Sequence, residues 1–262
     1  MKFNAFGYQL KPLVKICLAG LFIALTAILQ KVTAINYIPI VPFLRISLGG
    51  PALIIFASIM LGPWYGLLIG ASSDLLGYLI FDPKNMALMP QITAIYALLG
   101  FASYFVFLLF KNMKNYKTAM IVEGIIFLVL ATGASLFFGL SNSINLYGTT
   151  YNLELWQKIS IPCLVFGCLL LLFLATYLIH KKVNSSRICI GIWHLSIGLF
   201  VIELVIMVLF GSLMKSWAFN FNFFTIMICQ VIVLFINVPI NTIFLSIFLR
   251  TTNRFTKVYN GE

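Results

Sequence analysis

The chain has 262 residues, 62% of them hydrophobic and 9% charged, with seventeen Lys and Arg against six Asp and Glu and a formal net charge of +11. A water-soluble fold of this length could not bury so much apolar side chain, because its surface would need far more polar residues. At a mean hydropathy of +1.07, the positive excess fits topology and attraction to anionic lipid, and it speaks against a nucleic-acid partner.

The reading is an all-α polytopic membrane protein with about eight transmembrane helices. Apolar runs able to cross a hydrocarbon core about 30 Å thick lie near residues 13–33, 46–61, 63–81, 91–110, 119–140, 160–180, 188–213 and 222–249. The first is long, lacks a small-residue cleavage site and is followed by further spans, so it reads as a membrane helix and not as a cleaved leader. Within it, Gly20 and Ala24 have the small-xxx-small spacing that lets helix backbones approach.

The second run is short, and Gly62-Pro63 separates it from the third. Gly suits a helix C-terminus and Pro the first turn of the next helix, so the two runs form a tight helical hairpin. Gly62, Gly66, Gly70 and Gly77 fall on nearly one face of the third run, a close-packing surface in the first instance. Asp74 lies one turn beyond Gly70 on that face. A charge at mid-helix costs roughly 2.5–3.5 kcal/mol on the insertion scale, so Asp74 should face protein. Arg45, at the outer head of the second run, is its expected partner, directly or through water or a ligand.

Little in the chain carries chemistry of its own. Cys17, Cys163, Cys168, Cys189 and Cys229 form no CxxC pair and read as buried, reduced filler. His180 and His194 stand alone, and neither a phosphate loop nor a nucleophile elbow is present. No catalytic residue, metal or cofactor is therefore expected, and the chain is not read as an enzyme. Asp74, Glu123 and Glu203 are the acids at membrane depth, too few for an evident proton relay.

Twelve of the basic residues fall in alternate segments: Lys2, Lys11, Lys15; Lys111, Lys114, Lys117; Lys181, Lys182, Arg187; Arg250, Arg254, Lys257. The positive-inside rule places these segments, and both termini, in the cytoplasm of a cell-membrane protein, which agrees with an even number of spans.

The stretch "RISLGGPALIIFASIMLGPWYGLLIGASSDLLGYLIFDP", followed by "ITAIYALLG", resembles the core of the substrate-binding S components of energy-coupling factor (ECF) vitamin transporters, above all the folate-specific group. The shared elements are the basic residue before Ile46-Ser47-Leu48-Gly49, the Gly62-Pro63 hairpin, Gly66, Gly70 and Asp74, and Thr93-Ala94 with Gly100. "VPINTIFLSIFLR" resembles the end of the family's last helix. The likeness covers about 1–110 and 190–255. Family members usually have six spans, so it implies a core of helices 1–4 in 1–114, an inserted transmembrane hairpin in 115–187, and the last two helices with a basic tail in 188–262. An Arg expected nine residues before Pro239 is replaced by Gln230, which departs from the folate pattern.

The resemblance implies an ABC-type importer in which this subunit captures a vitamin at the outer face, docks onto a membrane coupling subunit driven by two cytoplasmic ATPases, and topples to release its cargo. Folate is favoured, with pantothenate, riboflavin or a nucleobase-like compound next. Gly20 and Ala24 match the docking face on the first helix. The implied substrate-binding residues are Arg45, Asn85, Gln91, Tyr96, Trp217, Asn220 and Gln230, in or near the outer stretches 36–45, 81–93 and 215–224. Interfacial Trp and Tyr gather at membrane surfaces without binding anything, so Trp217 has a second reading. A self-sufficient secondary transporter is the other class, and the inverted repeats it should show are not evident.

Overall fold

The structure, a computed structural model, describes residues 10–32, 34–35, 46–47, 49–81, 89–111, 116–146, 149–182, 192–219 and 222–259. These form eight helical rods. The first six are α1 (Pro12–Val32), α2 (Gly50–Leu61), α3 (Pro63–Phe81), α4 (Pro90–Lys111), α5 (Tyr116–Leu140) and α6 (Leu155–Lys182). The seventh runs through α7 (Ile192–Ile202), a π-helical segment (Glu203–Phe210) and α8 (Gly211–Phe219), and the eighth is α9 (Phe223–Tyr259). Six of the rods are long and apolar enough to cross a membrane, α2 is a shorter apolar helix, and α3 carries Ser72, Ser73 and Asp74 at its centre. The expected all-α polytopic architecture is the observed one. Two small antiparallel ribbons complete it: β1 (Ala34–Ile35) with β2 (Ile46–Ser47), and β3 (Ser143–Leu146) with β4 (Thr149–Asn152).

The second helix starts later than expected. Ile46 and Ser47 pair with β1, and Gly49 then adopts a left-handed φ of 77° before the helix begins at Gly50. Every residue of α2 is buried. Its flanks are met by Phe22 of α1, whose ring stands edge-on to Phe56 at 5.6 Å, and by Phe248 of α9 at 5.5 Å from the same ring. Ile69 of α3, Leu99 and Phe107 of α4, Leu195 and Leu199 of α7, and Leu245 of α9 belong to the same core.

A second core lies on the far side of α7 and α9. Phe127, Ala131 and Phe138 of α5 and Ile161 and Val165 of α6 pack there with Phe200 and with Val231–Phe235 of α9. Phe127 anchors it, with ring centroids 4.4 Å from Phe200 and 5.1 Å from Phe235. The seventh and eighth rods thus form a wall between the α1–α4 group and the α5–α6 hairpin.

The glycines of α3 divide their work. A Cβ on Gly66 would lie 2.5 Å from the Gly100 carbonyl oxygen and 2.7 Å from Ser58 Cβ, and one on Gly70 would strike the Tyr96 carbonyl. These two positions let α3 and α4 touch backbone to backbone. Gly77, expected on the same surface, instead lies under the stem of Lys31 from α1, 3.0 Å from its Cε. Gly62 serves the hairpin with φ 110°, its N–H donating to the Ser58 carbonyl at 2.9 Å. The cysteine expectation also needs correction: Cys17 and Cys163 are exposed on the outer faces of α1 and α6, and only Cys229 among the four described is buried.

Candidate functional site

The C-terminal ends of α1 and α3 and the N-terminal end of α4 meet at one end of the bundle. There the Thr93 hydroxyl donates to Asp74 Oδ2 at 2.7 Å, tying α4 to α3 close to the Gly70–Tyr96 contact. The partner expected for Asp74, Arg45, lies outside the described residues. Lys31 runs over Gly77, three residues past Asp74. Gln91 and Tyr96, both half-buried, stand on α4 on either side of Thr93.

Beside Lys31, Gln30 is only 3% exposed, and neither its amide nitrogen nor its amide oxygen has a hydrogen-bond partner. Thr26, one turn earlier and fully buried, has an unpaired hydroxyl as well. Burying such groups unpaired costs about 1–3 kcal/mol each on mutational scales. The end of α1, α3 and α4 therefore holds a carboxylate, an ammonium group, two amides and two threonine hydroxyls within a few helical turns. This set can read the mixed donor and acceptor edge of a small polar ligand, or a carboxylate through Lys31.

The remaining expected positions scatter. Asn85 and Asn220 lie outside the described residues. Gln230 is half-buried on α9. Trp217 is 74% exposed at the end of α8. Gly20 and Ala24 both lie on the exposed face of α1 with Leu21, Leu25 and Ile28, and a Cβ on Gly20 would meet nothing within 4 Å. The sequence reading missed Gln30, Lys31 and the pairing role of Thr93. A usable signal was there, since Thr26 and Gln30 are polar residues one turn apart inside an apolar span.

Two further acids are buried deeper. Ser196 Oγ of α7 donates to Glu123 Oε1 of α5 at 2.9 Å, and Asn241 Nδ2 of α9 donates to Glu203 Oε1 at 2.6 Å.

The fold and these polar groups define a polytopic helical membrane protein with a polar rim at one end of its bundle. A model of the family described as ECF transporter, substrate-specific component, matches residues 14–169, more than half of the sequence, and the chain belongs to that family. It is a substrate-specific membrane subunit of an ECF transporter, and membership implies a substrate, a coupling subunit and ATPase subunits as partners. The matched stretch runs through α5 and into α6, so it includes much of the segment expected to be an insertion. No curated protein and no solved structure matches the chain.

Proposed function

We propose that the chain captures a vitamin, with folate favoured, at the outer face of the cell membrane and hands it inward when docked to the coupling subunit and its two ATPases. The observation that carries the reading is the family match together with the polar rim around Asp74, Thr93, Gln91, Lys31 and Gln30. A pterin presents adjacent donors and acceptors along one edge, which suits an amide such as Gln30 or Gln91, and its glutamate carboxylates suit Lys31 and Arg45. Tyr96, Asn85, Trp217, Asn220 and Gln230 are proposed to complete the pocket from the surrounding loops and from α9. Pantothenate and riboflavin carry the same kinds of group and are the next candidates.

Docking is assigned to the face of α1 that bears Gly20 and Ala24, where small residues among exposed Leu and Ile admit a partner helix closely. Both termini are proposed to lie in the cytoplasm, a reading supported by the basic segments, and the rim then faces outside. The six-helix core is proposed to be α1–α4 with the seventh and eighth rods, and α5–α6 the added hairpin. This division is supported by the separate core on the far side of α7 and α9.

Mass spectrometry of small molecules retained by the purified protein tests the reading directly, followed by titration with folate, pantothenate and riboflavin. A retained folate, displaced by added folate, is the expected result. Purified protein that retains and binds none of them would remove the vitamin assignment.

A further inference from the structure

Glu203 begins the π-helical segment of the seventh rod, about 16 Å along that rod from Ile192 at 1.5 Å per residue, and so lies deep in the membrane. It is 1% exposed. Beside it within the wall between the two cores is α9, which carries Asn237 and Asn241 one turn apart with Pro239 between them. Asn241 is 1% and Asn237 8% exposed.

One hydrogen bond joins the group, from Asn241 Nδ2 to Glu203 Oε1 at 2.6 Å. Three oxygens are left over: Glu203 Oε2, Asn241 Oδ1 and Asn237 Oδ1 have no hydrogen-bond partner. All three are acceptors, so a positive charge among them would meet three unpaired oxygens. A carboxylate at this depth is expensive unless a partner neutralises it. Backbone irregularity coincides with it on both sides. A π segment shifts carbonyls out of the regular ladder, and Pro239 has no N–H to engage the carbonyl one turn before it. Polar side chains beside interrupted helices at mid-membrane are a recurring way to build ion sites.

The geometry points to a buried cation site formed by Glu203, Asn237 and Asn241. Oxygen-only donors, with no thiolate or imidazole, suit a hard cation. The single carboxylate sets the charge: a monovalent ion leaves the site neutral, whereas a divalent one leaves an unpaired charge in a low-dielectric interior. We propose that this site takes a monovalent alkali cation and that the ion ties the seventh rod to α9. The site is separate from the polar rim of α1, α3 and α4, and it stands whether or not the captured ligand is a vitamin.

Thermal unfolding of the detergent-purified full chain tests it, in sodium, potassium or choline chloride at matched ionic strength. The expected result is a melting temperature that rises saturably with sodium or potassium but not with choline, since an ion bound only by the folded state stabilises it by mass action. Glu203→Gln keeps the shape, removes the charge and should raise the half-saturating concentration at least tenfold. If that variant does not fold, Asn237→Ala leaves the Glu203–Asn241 hydrogen bond in place and should raise it several-fold. Identical melting of the wild type in all three salts overturns the proposal, as does an unaltered cation response in either folded variant. A protonated Glu203, needing no ion, would give the first of those outcomes.

Discussion

Replacing Gly70 with Ala puts one carbon atom into the tightest part of the α3–α4 contact. The added Cβ would stand 2.7 Å from the Tyr96 carbonyl carbon and closer still to its oxygen. Ordinary contact begins at 3.4 Å, so the helices must part by at least about 0.7 Å, and by more to clear the oxygen, and backbone has no rotamer by which to yield. A gap of that size forfeits roughly a quarter to a half of the dispersion energy across the contact. If the rods separate rigidly, the Thr93–Asp74 bond lengthens from 2.7 Å to about 3.4 Å or beyond, past the edge of hydrogen bonding. Overpacking costs about 1–3 kcal/mol and the weakened bond to a carboxylate up to about 1.5–3 kcal/mol. Better helix propensity returns about 1 kcal/mol. The net expectation is a loss of roughly 2–4 kcal/mol. Equilibrium unfolding in mixed micelles measures it. Gly133→Ala on α5 is the control, since its Cβ would meet nothing within 4 Å, and it should be neutral or slightly stabilising. A Gly70→Ala protein as stable as the wild type would refute the reasoning.

Single cysteines at Lys114 and Lys182 in a background free of native thiols should be shielded from impermeant reagents in intact cells, whereas cysteines at Asn142 and Lys84 should label; outside labelling at Lys114 overturns the cytoplasmic placement of the basic segments. Gly20→Leu or Ala24→Leu should block co-purification with the coupling subunit and leave ligand affinity unchanged, and normal assembly by both removes α1 from docking. Thr93→Val should cost about 1.5–3 kcal/mol by leaving Asp74 one donor short, and an unchanged unfolding midpoint would mean that the bond contributes nothing. Arg45→Ala should weaken ligand binding in a folded protein if the guanidinium holds a ligand carboxylate, with Arg45→Lys restoring only part of the affinity because the fork geometry is lost; unchanged affinity and stability in Arg45→Ala would exclude both a ligand role and an ion pair with Asp74.

The rods were legible because each apolar run is a local property of the chain, and the helices of the described residues follow those runs, six of them long and apolar enough to cross a membrane. The start of α2 was not, because Ile46 is as apolar as the helix that follows, and only the strand pairing with Ala34–Ile35 and the left-handed Gly49 end the run. Glycine spacing gave the packing face of α3 without its neighbours. Gly66 and Gly70 meet α4, yet Gly77, seven residues on, meets Lys31 of α1. Among the site residues, Asp74 lies beside Thr93 and Tyr96 against Gly70, contacts between helices that no local pattern in the sequence announces. Glu203 was visible as an acid in an apolar helix, but its partner stands thirty-eight residues away, and no periodicity connects two separate rods. Asn237 and Asn241 flank Pro239 in "NVPIN", where nothing local marks either as a neighbour of Glu203.

The burial of α2 on every side bears on how the protein is made. Twelve residues rise about 18 Å, well short of the roughly 30 Å of hydrocarbon, so this helix is a poor independent client for the insertion machinery. It is sheltered instead by its neighbours, and bilayer thickness acts on them and not on it. One side of that shelter, α9 with Phe244 against Gly49 and Phe248 against Phe56, is synthesised only after α5 to α8. During translation α2 must wait with one flank on lipid or on a chaperone. Its enclosure is therefore a late step in biogenesis, and lesions in the last helix should surface first as degradation of an incompletely closed first half.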